Sequence, residues 1–312
     1  MPTLSVFSPE GSIPALVTPF LRGDPASLDR PALARLALRA AERGSSAVVV
    51  CGSTGEGPAL SAEEHAEAVA IAVRTLSGRV PVIAGVGAPS TETAVSLAVG
   101  AERCGAAALL VSAPPYVRPS QEGLRAHLRA VAAASGLPIV LYDVPARAAV
   151  AFSDETIGRL RSEGVIRAIK DASGDLARPA RLRQLCGDDF AQLSGDDATA
   201  LAHRAMGGVG CISVTANLVP ALCAAMHAAW DAGDTLRARH VADRLAPLHA
   251  LLFTETNPVP VKAALGLLGL CDPTPRLPLI PALRETRQRL TDLLPALAAE
   301  DELLLPRARR VA

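Results

Sequence analysis

Lysine and tyrosine are scarce in this sequence, and their scarcity limits the number of residues that could act as an amine nucleophile or a phenolic acid. The chain has 312 residues and 31 basic side chains, of which only Lys170 and Lys262 are lysines, and its tyrosines are Tyr116 and Tyr142. Because arginine serves at the other basic positions, a remaining lysine is expected where arginine cannot substitute. One such role is attack on a carbonyl by a neutral primary amine, which a guanidinium cannot perform. Alternatively, both scarcities follow from a composition rich in alanine and arginine.

An excess of charge of either sign is also absent. The 31 basic residues are balanced by 31 acidic ones, which argues against a nucleic acid or an anionic membrane as a partner. No stretch approaches the roughly 20 apolar residues of a membrane span, and residues 1–10 lack a secretory pattern, so a cytoplasmic location is predicted. With 50% hydrophobic and 20% charged residues, the chain has the material for a large core.

Motifs for disulfides and metals are missing as well. The six cysteines lie far apart, mostly in apolar runs and without a CxxC pair, so we interpret them as buried and reduced. The six histidines all fall in segments with helical patterns and receive no chemical role. Asp196 and Asp197 are adjacent and could bind Mg²⁺, but no further ligands cluster with them, so no metal is predicted.

Short apolar runs alternate with longer helical patterns along the chain. This alternation implies parallel strands buried on both faces, and eight such units favour an α/β fold of the (β/α)8 TIM barrel type over an open doubly wound sheet. The barrel is predicted over residues 11–225, a helical C-terminal extension over 226–300 and a frayed tail over 301–312. The candidate strands are 12–18, 47–51, 80–84, 107–112, 138–142, 165–170, 190–194 and 210–213.

The C-terminal ends of barrel strands face the active site, so the residues there are the candidates for chemistry. After the second strand, residues 51–56 (CGSTGE) combine two glycines with the hydroxyls of Ser53 and Thr54 at the start of a helix. Free backbone amides in such a turn bind an anion, either a carboxylate or a phosphate. The alternative is a plain turn in which a hydroxyl caps the helix.

Two further strand ends carry candidates for proton transfer and nucleophilic attack. The fifth strand ends at Tyr142, a phenol that could pass protons, and Arg147 beyond it could clamp a carboxylate. The sixth ends at Lys170, whose neutral, nucleophilic form would be favoured by burial in the barrel mouth. Taken singly, these residues could instead be packing, a surface charge and an ion pair with Asp171. Lys262 falls in the helical extension, where a structural role is predicted.

Taken in order, the motifs resemble the dihydrodipicolinate synthase/N-acetylneuraminate lyase family. They are GSTGE at 52–56, YVRPSQ at 116–121, YDVPAR at 142–147, IKDASG at 169–174 and SGDD at 194–197. The resemblance covers most of the chain. It implies a pyruvate-dependent class I aldolase on a TIM barrel, usually a homotetramer built as a dimer of dimers, with no cofactor beyond the covalent imine that pyruvate forms with the enzyme.

The resemblance also implies roles for individual residues. Lys170 would form the imine with the keto carbon of pyruvate, and Ser53 and Thr54 would hold the pyruvate carboxylate. Tyr142 would transfer protons through Ser53 to a Tyr116 donated by the neighbouring subunit.

Arg147 and Ile212 complete the implied site. Ile212 resembles the family residue whose backbone flanks the pyruvate. Arg147 resembles the arginine that binds the carboxylate of L-aspartate 4-semialdehyde, and residues 118–123, 213–217 and 257–262 are also similar to the synthase branch. The resemblance therefore implies a lyase that condenses pyruvate with this aldehyde to 4-hydroxy-tetrahydrodipicolinate, in lysine and diaminopimelate biosynthesis.

Several positions depart from the family pattern. Ser53 stands where threonine is usual, Pro115 where a second tyrosine is common, and residues 148–149 are Ala-Ala in place of Thr-Gly. Asp143 stands where asparagine is usual, and its charge near Arg147 could shift the preference toward another aldehyde. The positions that match the family's inhibitory lysine site are Gly57, Pro58, Ala62, Pro89, Thr93 and Pro115, which leaves His65 nearly alone as a polar partner. Inhibition by lysine is therefore predicted to be weak or absent.

Two other functions are compatible with these motifs. A paralogous aldolase or dehydratase would act on a 2-keto-3-deoxy sugar acid or an N-acetylneuraminate-like substrate, but residues 144–149 offer few partners for sugar hydroxyls. A non-catalytic barrel that senses pyruvate would have no need of the lysine and both tyrosines. Condensation with the semialdehyde is therefore the favoured prediction.

Overall fold

Ten β-strands and twelve α-helices form in residues 7–305, the part of the chain that this computed structural model describes. The strands are β1 (Gly11–Pro14), β2 (Phe20–Leu21), β3 (Asp24–Leu28), β4 (Val48–Val50), β5 (Val82–Gly85), β6 (Ala108–Ser112), β7 (Ile139–Asp143), β8 (Ala168–Asp171), β9 (Ala191–Ser194) and β10 (Gly210–Ser213). The helices are α1 (Arg30–Glu42), α2 (Ala62–Leu76), α3 (Thr91–Arg103), α4 (Gln121–Ala134), α5 (Pro145–Ala148), α6 (Asp154–Ser162), α7 (Arg178–Cys186), α8 (Ala200–Ala205), α9 (Pro220–Asp231), α10 (Thr235–Leu251), α11 (Val259–Leu267) and α12 (Arg284–Leu303). No helix among them is long and apolar enough to cross a membrane.

Eight of the strands form one parallel sheet that closes into a barrel. Their order is β1-β10-β9-β8-β7-β6-β5-β4, so most strands that neighbour each other along the chain also pair in space. A parallel bridge between Ala15 and Val49 joins the two edges of the sheet. The amide of Leu16 donates to the Val49 carbonyl at 2.8 Å beside this bridge. The predicted (β/α)8 barrel with a helical C-terminal extension is confirmed.

Side chains alternate along each barrel strand and separate two apolar layers. On β7, Val140 and Tyr142 belong to the cluster inside the barrel, whereas Leu141 belongs to the cluster between strands and helices. On β8, Ala168 lies inside and Ile169 outside. The same alternation decides whether a residue at the end of a strand points into the barrel or toward the helices.

Each predicted strand overlaps an observed one, and helix starts also agree with local signals. At the start of α2, Ser61 and Glu64 form a capping box, in which the side chain of each accepts from the backbone amide of the other. The antiparallel hairpin of β2 and β3 is missing from the predictions, because its strands are too short and too polar to show a periodicity.

The end of the chain differs in part from the prediction. Residues 301–303, expected to fray, complete α12, and Asp301 is fully buried. Its carboxylate accepts from Arg43 Nη1 at 2.6 Å and from the Leu222 amide at 2.9 Å, contacts with distant residues that no local pattern signals. The rest of the predicted tail, 306–312, lies outside the described residues. Helix α9 runs across residue 225, and the division there into barrel and extension stays a prediction.

Candidate active site

Tyr142 and Lys170 lie side by side at the C-terminal ends of β7 and β8. They pair in the parallel register of the two strands, and this places both side chains on the interior face. Lys170 Nζ lies 4.3 Å from the centroid of the Tyr142 ring. Lys170 is 4% exposed and Tyr142 is 9% exposed. A buried amine thus contacts a phenol, which suits a nucleophile paired with an acid–base group.

A cavity of about 340 Å³ opens at this end of the barrel. Ser53, Tyr142 and Arg147 line it together, so three of the predicted site residues share one space. Lys170 does not line the cavity itself. Its amine lies against the ring of Tyr142, and Tyr142 does line the cavity. The other lining residues are Cys51, Gly52, Pro58, Gly85, Gly87, Leu110, Ser112, Ala113, Pro115, Val144 and Ala148. The cavity is of a size that holds a small metabolite.

The loop after β4 has the backbone that the predicted anion cradle requires. Its closing hydrogen bonds run from the Glu56 amide to the Ser53 carbonyl at 3.2 Å and from the Gly57 amide to the Gly52 carbonyl at 3.0 Å. Among the described residues, the amides of Ser53 and Thr54 donate no backbone hydrogen bond that closes the loop. A Cβ at Gly57 would lie 2.2 Å from a carbonyl oxygen of the same loop, so the turn needs glycine there.

One residue of the C-terminal region joins this loop to Arg147. Asn257 Nδ2 donates to Thr54 Oγ1 at 2.9 Å, and Arg147 Nη2 donates to the Asn257 carbonyl at 3.0 Å. Thr54 is 2% exposed and Asn257 is 6% exposed. The two residues predicted to bind different carboxylates are thus fixed relative to each other by one side chain and its own backbone.

The orientation of Asp143 corrects one expectation. The side chain points out of the barrel and away from Arg147, because Tyr142 before it points in. Asp143 is fully buried and accepts from Arg178 Nη1 at 2.6 Å and from the Phe152 amide at 3.3 Å. Burial raises the pKa of this carboxyl above its usual range, although the guanidinium acts in the opposite direction. Asp143 therefore adds no charge to the cavity.

Lys262 has the structural role predicted for it. The side chain is fully buried, and Nζ donates to Glu56 Oε1 at 2.5 Å while lying 4.1 Å from the centroid of the Phe20 ring. Burial lowers the pKa of Lys262, and the Glu56 carboxylate opposes that shift. The second oxygen of Glu56 accepts from the Arg276 amide at 2.8 Å. This pair joins the end of the anion loop to the helical extension.

Tyr116 and Ile212 occupy opposite environments. Ile212 on β10 is 1% exposed and belongs to the apolar cluster inside the barrel that includes Tyr142. Tyr116 is 91% exposed, has a positive φ of 75° and is not among the cavity-lining residues. A single chain therefore does not bring the Tyr116 phenol to Tyr142.

Sequence reasoning missed several residues of the site. Ser112 and Gly87 line the cavity, and a Cβ at Gly87 would lie 2.5 Å from Ser112 Oγ. Both follow the rule that strand ends face the site, and that rule could have found them. Arg178 gave no signal, since it lies far along the chain from the strand-end residues that it contacts. Asn257 belongs to the segment 257–262 that resembles the synthase branch, but its contacts with Thr54 and Arg147 were not predicted.

Acidic and cysteine side chains near the site have structural partners. Asp197 accepts from the amides of Val214 and Thr215 at 2.8 and 3.1 Å and from the Ser213 hydroxyl, so its carboxylate stabilises the turn after β10.

Within residues 7–305, no group of three or more His, Cys, Asp or Glu side chains is placed to hold a metal ion. Burial raises the pKa of the Cys51 thiol to about 12, which keeps it protonated and unreactive.

Comparison with known proteins identifies relatives along nearly the whole chain. The profile of the Dihydrodipicolinate synthetase family matches residues 8–297. A 4-hydroxy-tetrahydrodipicolinate synthase from Rhodospirillum centenum is 49% identical over 277 residues, which cover 89% of this chain and 94% of the relative.

Solved structures give the same result at the level of the fold. The 4-hydroxy-tetrahydrodipicolinate synthase of Methylacidiphilum fumariolicum SolV superposes with a TM-score of 0.90 and 38% identity, covering 95% of this chain and 99% of that one. A chloride-inhibited dihydrodipicolinate synthase from Acinetobacter baumannii, complexed with pyruvate, has a TM-score of 0.89 and 40% identity, covering 93% and 99%.

Proposed function

The chain belongs to the dihydrodipicolinate synthetase family, and from this membership we propose how its cavity performs the family's chemistry. The protein is a lyase that condenses pyruvate with L-aspartate 4-semialdehyde to 4-hydroxy-tetrahydrodipicolinate, a step of lysine and diaminopimelate biosynthesis. The observation that carries the proposed mechanism is the contact between Lys170 and Tyr142 at the end of the barrel.

Lys170 is the nucleophile in this mechanism. Its neutral Nζ attacks the keto carbon of pyruvate, the oxygen takes up a proton, and loss of water leaves a protonated imine on Lys170. The imine withdraws electrons, so a methyl proton leaves and an enamine forms. The enamine carbon then attacks the aldehyde carbon, the aldehyde oxygen takes up a proton to become a hydroxyl, and the imine to Lys170 re-forms. The amine of that substrate adds to the imine carbon and displaces the Lys170 amine as the product ring closes. No cofactor is needed, because the imine itself serves as the electron sink.

Tyr142 and the anion loop support these steps. The Lys170 amine lies over the ring of Tyr142. In the proposed mechanism the hydroxyl of this tyrosine transfers the proton that the carbinolamine gains before water leaves. The pyruvate carboxylate binds the Ser53 and Thr54 hydroxyls and amides, with Thr54 Oγ1 held by Asn257. The backbone of Ile212, on β10, flanks the bound pyruvate.

Arg147 selects the second substrate. Its bond to the Asn257 carbonyl uses Nη2 and holds the guanidinium at the cavity edge. The other donors of Arg147 have no partner within residues 7–305, so they can bind a carboxylate. L-Aspartate 4-semialdehyde carries such a carboxylate, whereas a sugar aldehyde would need hydroxyl partners. Asp143, which could have weakened this attraction, points away.

Turnover of pyruvate with L-aspartate 4-semialdehyde as the sole aldehyde, followed through a coupled reductase, tests this function. We expect Arg147→Met to raise the KM for the semialdehyde by about tenfold or more while the KM for pyruvate changes less than twofold, because only one charge-assisted contact is lost. Arg159→Met, which replaces an exposed arginine of α6, is the matched control and should leave both constants unchanged.

The outcomes of that assay are distinct. A pyruvate adduct on the enzyme without turnover would mean that the imine chemistry is right and the aldehyde is wrong, and keto-sugar acids would be tried next. If neither adduct nor turnover forms, the function is contradicted. Equal effects of Arg147→Met and Arg159→Met would remove Arg147 from substrate binding.

The active assembly is proposed to be a homotetramer, with Tyr116 crossing a subunit boundary. In support, the Tyr116 ring is almost wholly exposed in the single chain and stands outside the cavity. An exposed aromatic side chain on a strained backbone is well suited to fill a site on a partner. A neighbouring copy would then bring its phenol into the proton path of Ser53 and Tyr142.

Lysine is expected to be a weak inhibitor or none. The polar side chains left at the predicted inhibitor positions are already engaged: His65 is 2% exposed with Nε2 2.8 Å from the Gly85 carbonyl, and Thr93 Oγ1 lies 2.8 Å from Ser90 Oγ at a helix start. A lysine titration at fixed ionic strength, with sodium chloride as the control, should show no half-inhibition below about 1 mM, corresponding to a binding free energy weaker than roughly −4 kcal/mol. Stronger inhibition would point to a different site.

The cytoplasm is the proposed location. The six cysteines are all unpaired, and they lie in the described part of the chain. Unpaired cysteines suit a reducing compartment, where biosynthetic enzymes of this kind find their substrates.

A further inference from the structure

A buried arginine spans two neighbouring strands directly behind the proposed catalytic pair. Arg178, the first residue of α7, is 4% exposed. Its Nη1 donates to Asp143 Oδ2 at 2.6 Å and to Asp171 Oδ1 at 3.3 Å. Asp143 follows Tyr142, Asp171 follows Lys170, and the two aspartates pair in register as the two catalytic residues do. One guanidinium nitrogen therefore holds the two strand ends that carry the phenol and the amine.

The remaining donors of Arg178 fix its orientation. Nε donates to Asp154 Oδ1 at 2.8 Å, at the start of α6, and Nη2 donates to the Phe152 carbonyl at 2.7 Å. A planar guanidinium bound at Nε and at both terminal nitrogens has no freedom to rotate. The clamp is therefore rigid, and it is anchored on backbone and helix as well as on the two strands.

The clamp counters a repulsion that the strand geometry itself creates. Because Tyr142 and Lys170 must point into the barrel, the next residues must point outward, side by side on adjacent strands. Two carboxylates in that arrangement repel each other, and burial strengthens the repulsion. Without the cation, this repulsion would act directly between the ends of β7 and β8, or one of the two carboxyls would have to take up a proton.

The placement of Arg178 is unfavourable for its own helix. A positive charge at the first position of α7 opposes the helix dipole, and acidic residues are preferred there. The two strand carboxylates and Asp154 compensate for this locally unfavourable charge. An arginine at this position is therefore explained by its contacts with the two strands and not by the stability of α7.

We propose that Arg178 is a positioning residue, which sets the separation between the Tyr142 phenol and the Lys170 amine by clamping Asp143 and Asp171. The inference rests on the proposed function, since that separation matters only if the two groups exchange protons. Arg178 touches neither substrate nor the reacting atoms, and its effect should appear in rates and not in substrate affinity.

The test compares Arg178→Lys with Arg181→Lys. Arg181 lies on the same helix and also donates to Asp154, at 2.7 Å, but it contacts neither Asp143 nor Asp171 in the described structure. Lysine keeps the charge at each position and removes the two-pronged geometry. We expect Arg178→Lys to lower kcat and the rate of borohydride-trapped imine formation by about tenfold or more, with the KM for pyruvate within threefold. Arg181→Lys should leave all three within twofold.

Asp143 supplies a second, independent pair of variants. Asp143→Ala removes the acceptor and should lower kcat about tenfold, whereas Asp143→Asn keeps an acceptor for Arg178 and should remain within threefold of the unaltered enzyme. Rates are normalised to the folded fraction from thermal melts. A role in folding alone would reduce melting temperatures without this separation between alanine and asparagine.

The outcomes separate the inference from the function on which it depends. Trapping of pyruvate by the unaltered enzyme decides the function. If Arg178→Lys folds and its kcat stays within twofold, the inference is overturned. If Arg178→Lys does not fold, the two Asp143 variants decide. A kcat that falls in Asp143→Ala but not in Asp143→Asn supports the clamp, and equal kcat values for the two variants overturn it.

Discussion

Replacement of Lys170 by arginine should abolish catalysis, with kcat reduced by about 1,000-fold or more. Arginine retains the positive charge and much of the volume, but a guanidinium stays protonated and forms no imine. The variant should therefore fold and bind pyruvate, yet give no adduct when borohydride and pyruvate are added together. Intact-mass spectrometry measures the adduct directly, and the thermal melt shows whether the fold is retained.

The second lysine provides an internal control for this experiment. With only two lysines in the chain, peptide mapping of the trapped enzyme distinguishes them without ambiguity. Lys262 is fully buried in an ion pair with Glu56, so it should carry no adduct. Label on Lys262, or an adduct on the Lys170→Arg variant at the level of the unaltered enzyme, would refute the proposed nucleophile.

Tyr142→Phe is expected to lower kcat by about 100-fold to 1,000-fold, within the range of a lost general acid–base group. The substitution removes one oxygen and keeps the ring against which Lys170 Nζ lies. Stability should change little, because the ring packs among the apolar side chains of the barrel interior. Imine formation should slow in parallel with turnover, since loss of water from the carbinolamine needs a proton donor.

Rapid-quench trapping with borohydride measures that imine step separately from turnover. Ser53→Ala is the comparison, since Ser53 lines the same cavity but stands one step further along the proposed proton path. We expect its effect to be smaller than that of Tyr142→Phe. If Tyr142→Phe traps pyruvate at the normal rate, the phenol does not serve the imine step and another group must supply the proton.

The barrel and the positions of the proposed catalytic residues were accessible from the sequence because their signals are local. Strands buried on both faces are continuous apolar runs, and the end of each run marks the catalytic face. Lys170 and Tyr142 sit at such ends, and a count of residues along β7 and β8 fixes their inward orientation. The same count places the Asp143 side chain on the outside of the barrel. The expectation that its charge lies near Arg147 did not take this count into account.

Contacts between distant segments account for what could not be predicted. Arg178 lies 35 residues from Asp143, and Asn257 lies 203 residues from Thr54. Nothing in the local pattern near either partner indicates the other. The burial of Asp301 has the same origin, since its partners are Arg43, just after α1, and Leu222 on α9. Such pairings arise when the elements pack, and a periodicity carries no information about them.

The contacts of Asn257 and Lys262 with the barrel have a consequence for recombination between related genes. Both residues lie beyond α10, yet one holds Thr54 and Arg147 and the other holds Glu56. A recombination event between related genes with its crossover near residue 225 would bring together halves that had never been selected as partners. Chimeras of that kind would retain every proposed catalytic residue and still lose the geometry of the substrate cradle. The two halves of this gene are therefore expected to evolve as one unit.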